Sequence, residues 1–146
     1  LELSGSVAST LRRKGFRART VTVKLRDPDF RTRQHSRTVP EAIESDHAIH
    51  AVAVELLRDL RAERRVPARL LGVGLTGLLD DDAPQQLGLF EGEEVAGETE
   101  RDRAVSHAMD RLRDRFGDEA ILPGTMFDGP PPGRRRRNDP HGTDDS

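Results

Sequence analysis

The sequence predicts an α+β domain over residues 1–79, an antiparallel sheet with two helices on one face. Three observations predict it. From Phe16 to Arg26 the chain alternates, with Val21, Val23 and Leu25 on one parity and Thr20, Thr22, Lys24 and Arg26 on the other. Such alternation describes a half-buried strand whose outer face is polar and basic. Ile49, Val52, Ala53, Leu56, Leu57 and Leu60 recur at helical spacing, the clearest periodic signal in the chain. The resulting order, α-β-β-α-β, is one strand short of a β-α-β-β-α-β unit, and the missing strand is expected before Leu1.

The first helix is read from Leu3, Val7, Ala8 and Leu11, an amphipathic stripe ending in Arg12, Arg13 and Lys14, with Gly15 as its stop. No cap precedes it, so the chain is expected to be a fragment cut inside a domain. After the strand Phe16 to Arg26, Asp27-Pro28-Asp29 forms a turn. Arg31 to Val39 reads as a second strand closed by Pro40. Its Thr, Arg and Ser content leaves it almost no apolar parity, so its inward face is not fixed, and an edge or a polar partner is implied. Ser45 is the expected N-cap of a helix from about Asp46 to Arg64, with Pro67 beyond it. Arg69 to Leu79 is the third strand: Leu71, Val73, Leu75 and Leu79 share one parity. Gly72 and Gly74 share the other, where glycine permits close approach.

Beyond this domain, residues 80–98 form an acidic linker, 99–127 a helix from about Glu100 to Phe116 followed by an apolar segment, and 128–146 a disordered tail containing Arg134 to Arg137. Charged and hydrophobic residues are each 34% of the chain and the mean hydropathy is -0.70, too polar for one core to use all 146 residues. The chain has no Cys, hence no disulfide or thiolate metal site, and no apolar run long enough to span a membrane. A soluble intracellular protein is expected.

The net charge of -2 conceals a dipolar layout. Leu11 to Arg37 holds ten basic residues against two acidic ones, a net +8, whereas Asp80 to Glu100 is -8. A basic block within a folded region points to a polyanion. The candidate contacts are Arg19, Thr20, Thr22, Lys24, Arg26, Thr32, Gln34, Ser36, Arg37 and Thr38, cations and hydroxyls suited to a phosphate backbone. With no Trp or Tyr and only 5 Phe, a stacking platform for single strands is disfavoured and duplex binding fits better. The bland alternative is a merely soluble basic face.

Catalytic chemistry finds no support. Gly72-Val73-Gly74 lies in a strand pattern without a third glycine or a following helix. His47 and His50 with Asp46 read as a solvated helix start rather than a metal site, and Asp80 to Asp82 lack further ligands. His35 is expected to contact phosphate or to face water. In the acidic linker, Gln86-Leu87-Gly88-Leu89-Phe90 carries three large apolar residues with no evident core to join. It is either a loop folded back on its domain or a short linear peptide presented to a partner.

Lys14 to Arg26, Asp29-Phe30, Ser36 to Pro40 and Arg69 to Leu78 resemble, in order and spacing, the little-finger domain of Y-family DNA polymerases of the bacterial translesion type. The resemblance covers residues 1–79. It implies a β-α-β-β-α-β little finger that grips duplex primer-template DNA through its open sheet. Gln86 to Phe90 matches the Gln-Leu-x-Leu-Phe pattern by which such polymerases bind the ring-shaped sliding clamp. Arg33 and His35 depart from the pattern. The implied parent is an error-prone DNA-directed polymerase of bacterial DNA repair, cytoplasmic and nucleoid-associated. Its Mg²⁺-binding palm carboxylates are absent here, so the fragment is expected to need no cofactor and to be inactive alone. The alternative is a stand-alone DNA-binding and clamp-interaction adaptor, which would require a natural start near Leu1.

Overall fold

The computed structural model describes residues 2–83 and 97–121. The elements follow the order α1 (Glu2–Arg13), β1 (Phe16–Arg26), β2 (Thr32–Ile43), α2 (Asp46–Glu63), β3 (Leu70–Asp80) and α3 (Glu100–Phe116), with a 3₁₀ turn at Asp118–Ala120. The three strands form one antiparallel sheet in the order β2-β1-β3, with helices α1 and α2 packed on one of its faces. The predicted α+β architecture is therefore present. The peptide Gln86 to Phe90, the apolar segment after Ile121 and the tail from Asp128 lie outside the described residues.

Central strand β1 is formed by its alternation. Val21, Val23 and Leu25 are buried to 2% exposure or less and meet Ile49, Val52, Leu56 and Leu60 of α2 and Ala8 and Leu11 of α1 in one core. Ser45 caps α2 as expected, its hydroxyl accepting from the Ala48 amide at 3.2 Å. The β1–β2 turn closes on the buried Asp27 carboxylate. Arg33 donates to both of its oxygens, at 3.0 and 3.2 Å, and Arg64 donates at 2.9 Å. The hydrogen bonds from Arg33 hold the Asp27 carboxyl below its ordinary pKa, against the opposing effect of desolvation. Phe30 occupies the left-handed position of this turn at φ 63°, its ring beneath the Arg69 guanidinium at 4.5 Å.

Two local expectations are corrected. Strand β2 does not end at Pro40 but continues to Ile43, burying Val39, Ala42 and Ile43. It is an edge strand, where proline's missing N–H removes no ladder bond; Pro40 is not among the residues paired with β1, whose register with β2 shifts between Ala18 and Thr20. Helix α1 is rotated from its predicted stripe. Ser4, Ala8, Leu11 and Arg12 are buried, while Leu3 is 44% exposed. The buried face is set by Arg12, which is drawn inward by carboxylates of α2 and α3.

Those carboxylates dock α3 onto the helical layer. Arg12 donates through Nε and a terminal nitrogen to both oxygens of Asp110, at 2.7 and 3.0 Å, and also to Asp46 at 2.8 Å and the Glu44 carbonyl at 2.6 Å. Burial opposes the Arg12 charge, but the hydrogen bond to Asp110 and the Asp46 charge outweigh it and raise its pKa. Glu98 accepts from the amides of Glu44 and Ser45, and Ser106 accepts from the Asp46 amide at 3.2 Å. Three otherwise orphaned donors at the start of α2 are thereby satisfied from the α3 side. Thr99 and Asp102 form a reciprocal capping box at the start of α3.

Candidate nucleic-acid interface

Residues paired across neighbouring strands share a face of the sheet. The register therefore assigns the open face directly. Its rows are Thr38-Thr20-Thr76, Ser36-Thr22-Gly74, Gln34-Lys24-Gly72 and Thr32-Arg26-Leu70, running from β2 across β1 to β3. No carboxylate stands in these four rows. Thr20 and Thr38 share a hydroxyl hydrogen bond of 2.9 Å, Thr22 and Ser36 one of 2.8 Å, and Arg26 donates to Thr32 at 3.3 Å. These bonds order the side chains into a flat polar ladder. A Cβ built on Gly72 or Gly74 meets nothing within 4 Å, so the β3 side of this face is shallow and uncovered by protein among the described residues.

Arg19 sits at the bulge, exposed, with its guanidinium 3.5 Å from the Val39 carbonyl. Opposite it, Gly77 takes φ +64°, a backbone conformation that side-chain-bearing residues rarely adopt, although a Cβ there would reach Arg19 and Thr20 only at ordinary contact distance. The bulge thus needs glycine at this position and turns Arg19 toward the open side.

One predicted contact is misplaced. Arg37 pairs with Val21 and so belongs to the helix-facing side, where it forms an ion pair with Glu55 of α2. Arg33 and His35 share that side. Arg33 binds Asp27 and the Leu60 carbonyl, and His35 Nε2 lies 2.7 Å from Glu63, rather than meeting phosphate or water alone. Between Arg33 and Arg37 the inward face of β2 is therefore closed by polar contacts to Asp27 and to α2 instead of apolar packing, which is why this stretch lacks an apolar parity. Parity alone separates Arg37 from Gln34, Ser36 and Thr38.

The ion pairs also change the meaning of the +8 block. Arg12, Arg13, Arg17, Arg31, Arg33 and Arg37 are each paired with a carboxylate of the same chain. Lys14, Arg19, Lys24 and Arg26 fall outside these pairs, and three of those four are on or beside the open rows. Among the described residues the block divides into cations ion-paired within the chain and a small remaining set, three of the four on or beside the open face. That set is too flat and too poor in aromatics to stack bases, and it suits contact with a regularly spaced anionic backbone.

Among the described residues no group of three or more His, Asp or Glu side chains is placed to hold a metal ion. Asp46 is engaged by Arg12 and Asp81 by Arg17 at 2.6 Å. His47 is exposed, its Nδ1 3.8 Å from Asp102, and burial lowers the pKa of His50. No helix among the described residues is long and apolar enough to cross a membrane.

A sheet with one helix-covered and one open polar face, its cations without a carboxylate partner among the described residues, defines an α+β domain of the little-finger type. The chain belongs to the impB/mucB/samB family as its C-terminal domain, matched over residues 1–89, and is a Y-family DNA polymerase C-terminal domain. It is 38% identical over 122 residues to a DNA polymerase IV of Pelotomaculum thermopropionicum, covering 84% of this chain and 28% of that protein. A DNA polymerase IV of Moorella thermoacetica is 36% identical over 121 residues, covering 83% of this chain and 28% of the relative. DNA polymerase kappa of Mus musculus is 34% identical over 84 residues, 56% of this chain and 10% of that protein. The chain thus spans under a third of the length of these relatives.

Proposed function

We propose that this domain grips duplex primer-template DNA for an error-prone translesion polymerase and tethers that polymerase to the sliding clamp. The observation that carries the DNA half is the segregation of free cations. Six basic residues of the block are spent on internal pairs, whereas Arg19, Lys24 and Arg26 stand with hydroxyl ladders on a carboxylate-free face. Arg19, Thr20, Thr22, Lys24, Arg26, Thr32, Gln34, Ser36 and Thr38 are the contact set; Arg37 acts instead as a brace between β2 and α2. Contacts of this kind set affinity and register with little sequence preference.

The family implies Mg²⁺ chemistry, but the carboxylates described here do not gather into a site that fits the ion, so no step is assigned to this domain. Its contribution is to hold the duplex in place while the rest of the polymerase acts. Gln86, Leu87, Gly88, Leu89 and Phe90 provide the tether. Support comes from their pattern and from the pinning of both flanks: Asp81 is bound by the Gly15 carbonyl and Arg17, and Glu98 by the start of α2. Burying three apolar side chains yields at most about 1.5–3 kcal/mol each, which after ordering costs corresponds to roughly micromolar affinity. Coupling to the DNA grip raises retention through effective concentration.

The test replaces Leu89 and Phe90 by Ala. Clamp pull-down is abolished and duplex affinity is unchanged; a parallel loss of duplex binding would show that the peptide belongs to the fold. A chain that bound the clamp but not DNA would instead be an interaction adaptor.

A further inference from the structure

Phe30 breaks a local rule without a local gain. It stands at φ 63° in the turn between β1 and β2, a left-handed position that ordinarily takes glycine or asparagine and that a bulky aromatic rarely adopts. The turn holds it there: the Phe30 amide donates to the Asp27 carbonyl at 3.0 Å, and the Asp27 amide to the Arg31 carbonyl at 2.9 Å. Burial does not offset the strain, because Phe30 is 63% exposed. What the ring does touch is Arg69, whose guanidinium lies 4.5 Å from its centroid. Backbone strain that packing does not explain marks a functional position.

Arg69 differs from the other arginines at this end of the sheet. Asp27 is taken by Arg33 and Arg64, and Asp29 by Arg64 and Arg31, at 2.9–3.6 Å. Arg69 is exposed and has no carboxylate partner among the described residues; an aromatic face holds it instead. A carboxylate would neutralise the guanidinium and occupy its donors, whereas a ring face leaves the charge and the outward N–H groups available. The Arg69 amide donates to the Arg26 carbonyl at 2.7 Å, which sets the residue beside the row Thr32-Arg26-Leu70 at the end of the open face. We propose that Arg69 is a further phosphate contact at this end of the sheet and that Phe30 is its positioning residue. The inference rests on the duplex-binding reading above and adds to it a residue outside the alternating pattern. Phosphate oxygens accept from the guanidinium, and a long side chain already fixed on a ring loses less freedom when they do.

The test measures primer-template duplex binding by the full chain at one ionic strength, with urea unfolding alongside. Asparagine suits the left-handed position, so Phe30→Asn raises the urea midpoint. Its duplex affinity nevertheless falls about fivefold, because Arg69 is then ordered only on binding. Phe30→Trp keeps the ring face and binds as the wild type does. Arg69→Ala weakens binding at least as much as Phe30→Asn, and combining the two adds no further loss. Unchanged affinity in Phe30→Asn, a lowered midpoint in that variant, or additive losses overturn the positioning role. Unchanged affinity in Arg69→Ala where Lys24→Ala weakens binding overturns the Arg69 contact and leaves the duplex grip standing. No loss in either variant removes the grip and this contact with it.

Discussion

Replacing Arg12 by Met should cost about 3 kcal/mol. Its side chain is 2% exposed and makes four hydrogen bonds, to Asp110, Asp46 and the Glu44 carbonyl. Removing one partner of a buried pair typically costs about 3–5 kcal/mol, because the remaining charge is buried without compensation. The Asp110 and Asp46 side chains retain 12% and 18% exposure, so partial hydration brings the value to the low end of that range. With a urea m-value of about 2 kcal/mol per molar, the midpoint falls by about 1.5 M. Urea unfolding followed by circular dichroism measures this, and amide exchange in α3 reports whether the helix loosens first. Arg12→Met with Asp110→Leu should recover part of the loss, since an apolar pair replaces the ion pair to Asp110 and only Asp46, 18% exposed, and the Glu44 carbonyl lose their partner. A midpoint shift below about 0.5 M for the single variant, or no recovery in the double one, would refute the latch.

The same latch sets a pH dependence. Burial pushes the Asp110 carboxyl up, but the Arg12 hydrogen bond and charge outweigh it and leave its pKa lowered. Its stabilising contribution is therefore full above the unfolded value of about 3.9 and is lost as pH falls through the folded value. In Arg12→Met burial is opposed only by the Ser9 hydrogen bond and the Arg113 charge, so the lowering of the Asp110 pKa shrinks and the acid-side loss of α3 docking with it; carboxyl titration by NMR follows both. Thr99→Ala breaks the capping box in which the Thr99 hydroxyl accepts from the Asp102 amide at 3.1 Å. It should cost about 1 kcal/mol, read as increased exchange in the first turn of α3 with the sheet unchanged.

The legible parts of the fold were those governed by a single period. Val21, Val23 and Leu25 announced β1, Ile49 to Leu60 announced α2, and the stripe from Val105 to Phe116 marked α3 with the bounds observed. What eluded pattern reading was settled by polar tertiary contacts. Arg12 reads locally as a last-turn cation, yet its partners are 34 and 98 residues away. The inward side of β2 is Arg33, His35 and Arg37, which hydropathy cannot assign because their burial depends on Asp27, Glu55 and Glu63 lying opposite. Pro40 reads as a stop only if the strand's outer edge is assumed to be paired. For the interface, residue type and alternation sufficed for Thr20, Thr22, Lys24 and Arg26, whereas Arg37 required the register.

The central claim concerns the open face, and duplex affinity measured against salt tests it most directly. Arg19, Lys24 and Arg26 have no carboxylate partner among the described residues, and each phosphate neutralised contributes about -0.9 to the slope of log affinity against log salt, so the slope should be near -3. Lys24→Ala should reduce its magnitude by about 1, and Arg37→Ala, on the opposite face, should leave it unchanged. A wild-type slope near zero, or equal losses from Lys24→Ala and Arg37→Ala, would contradict the account.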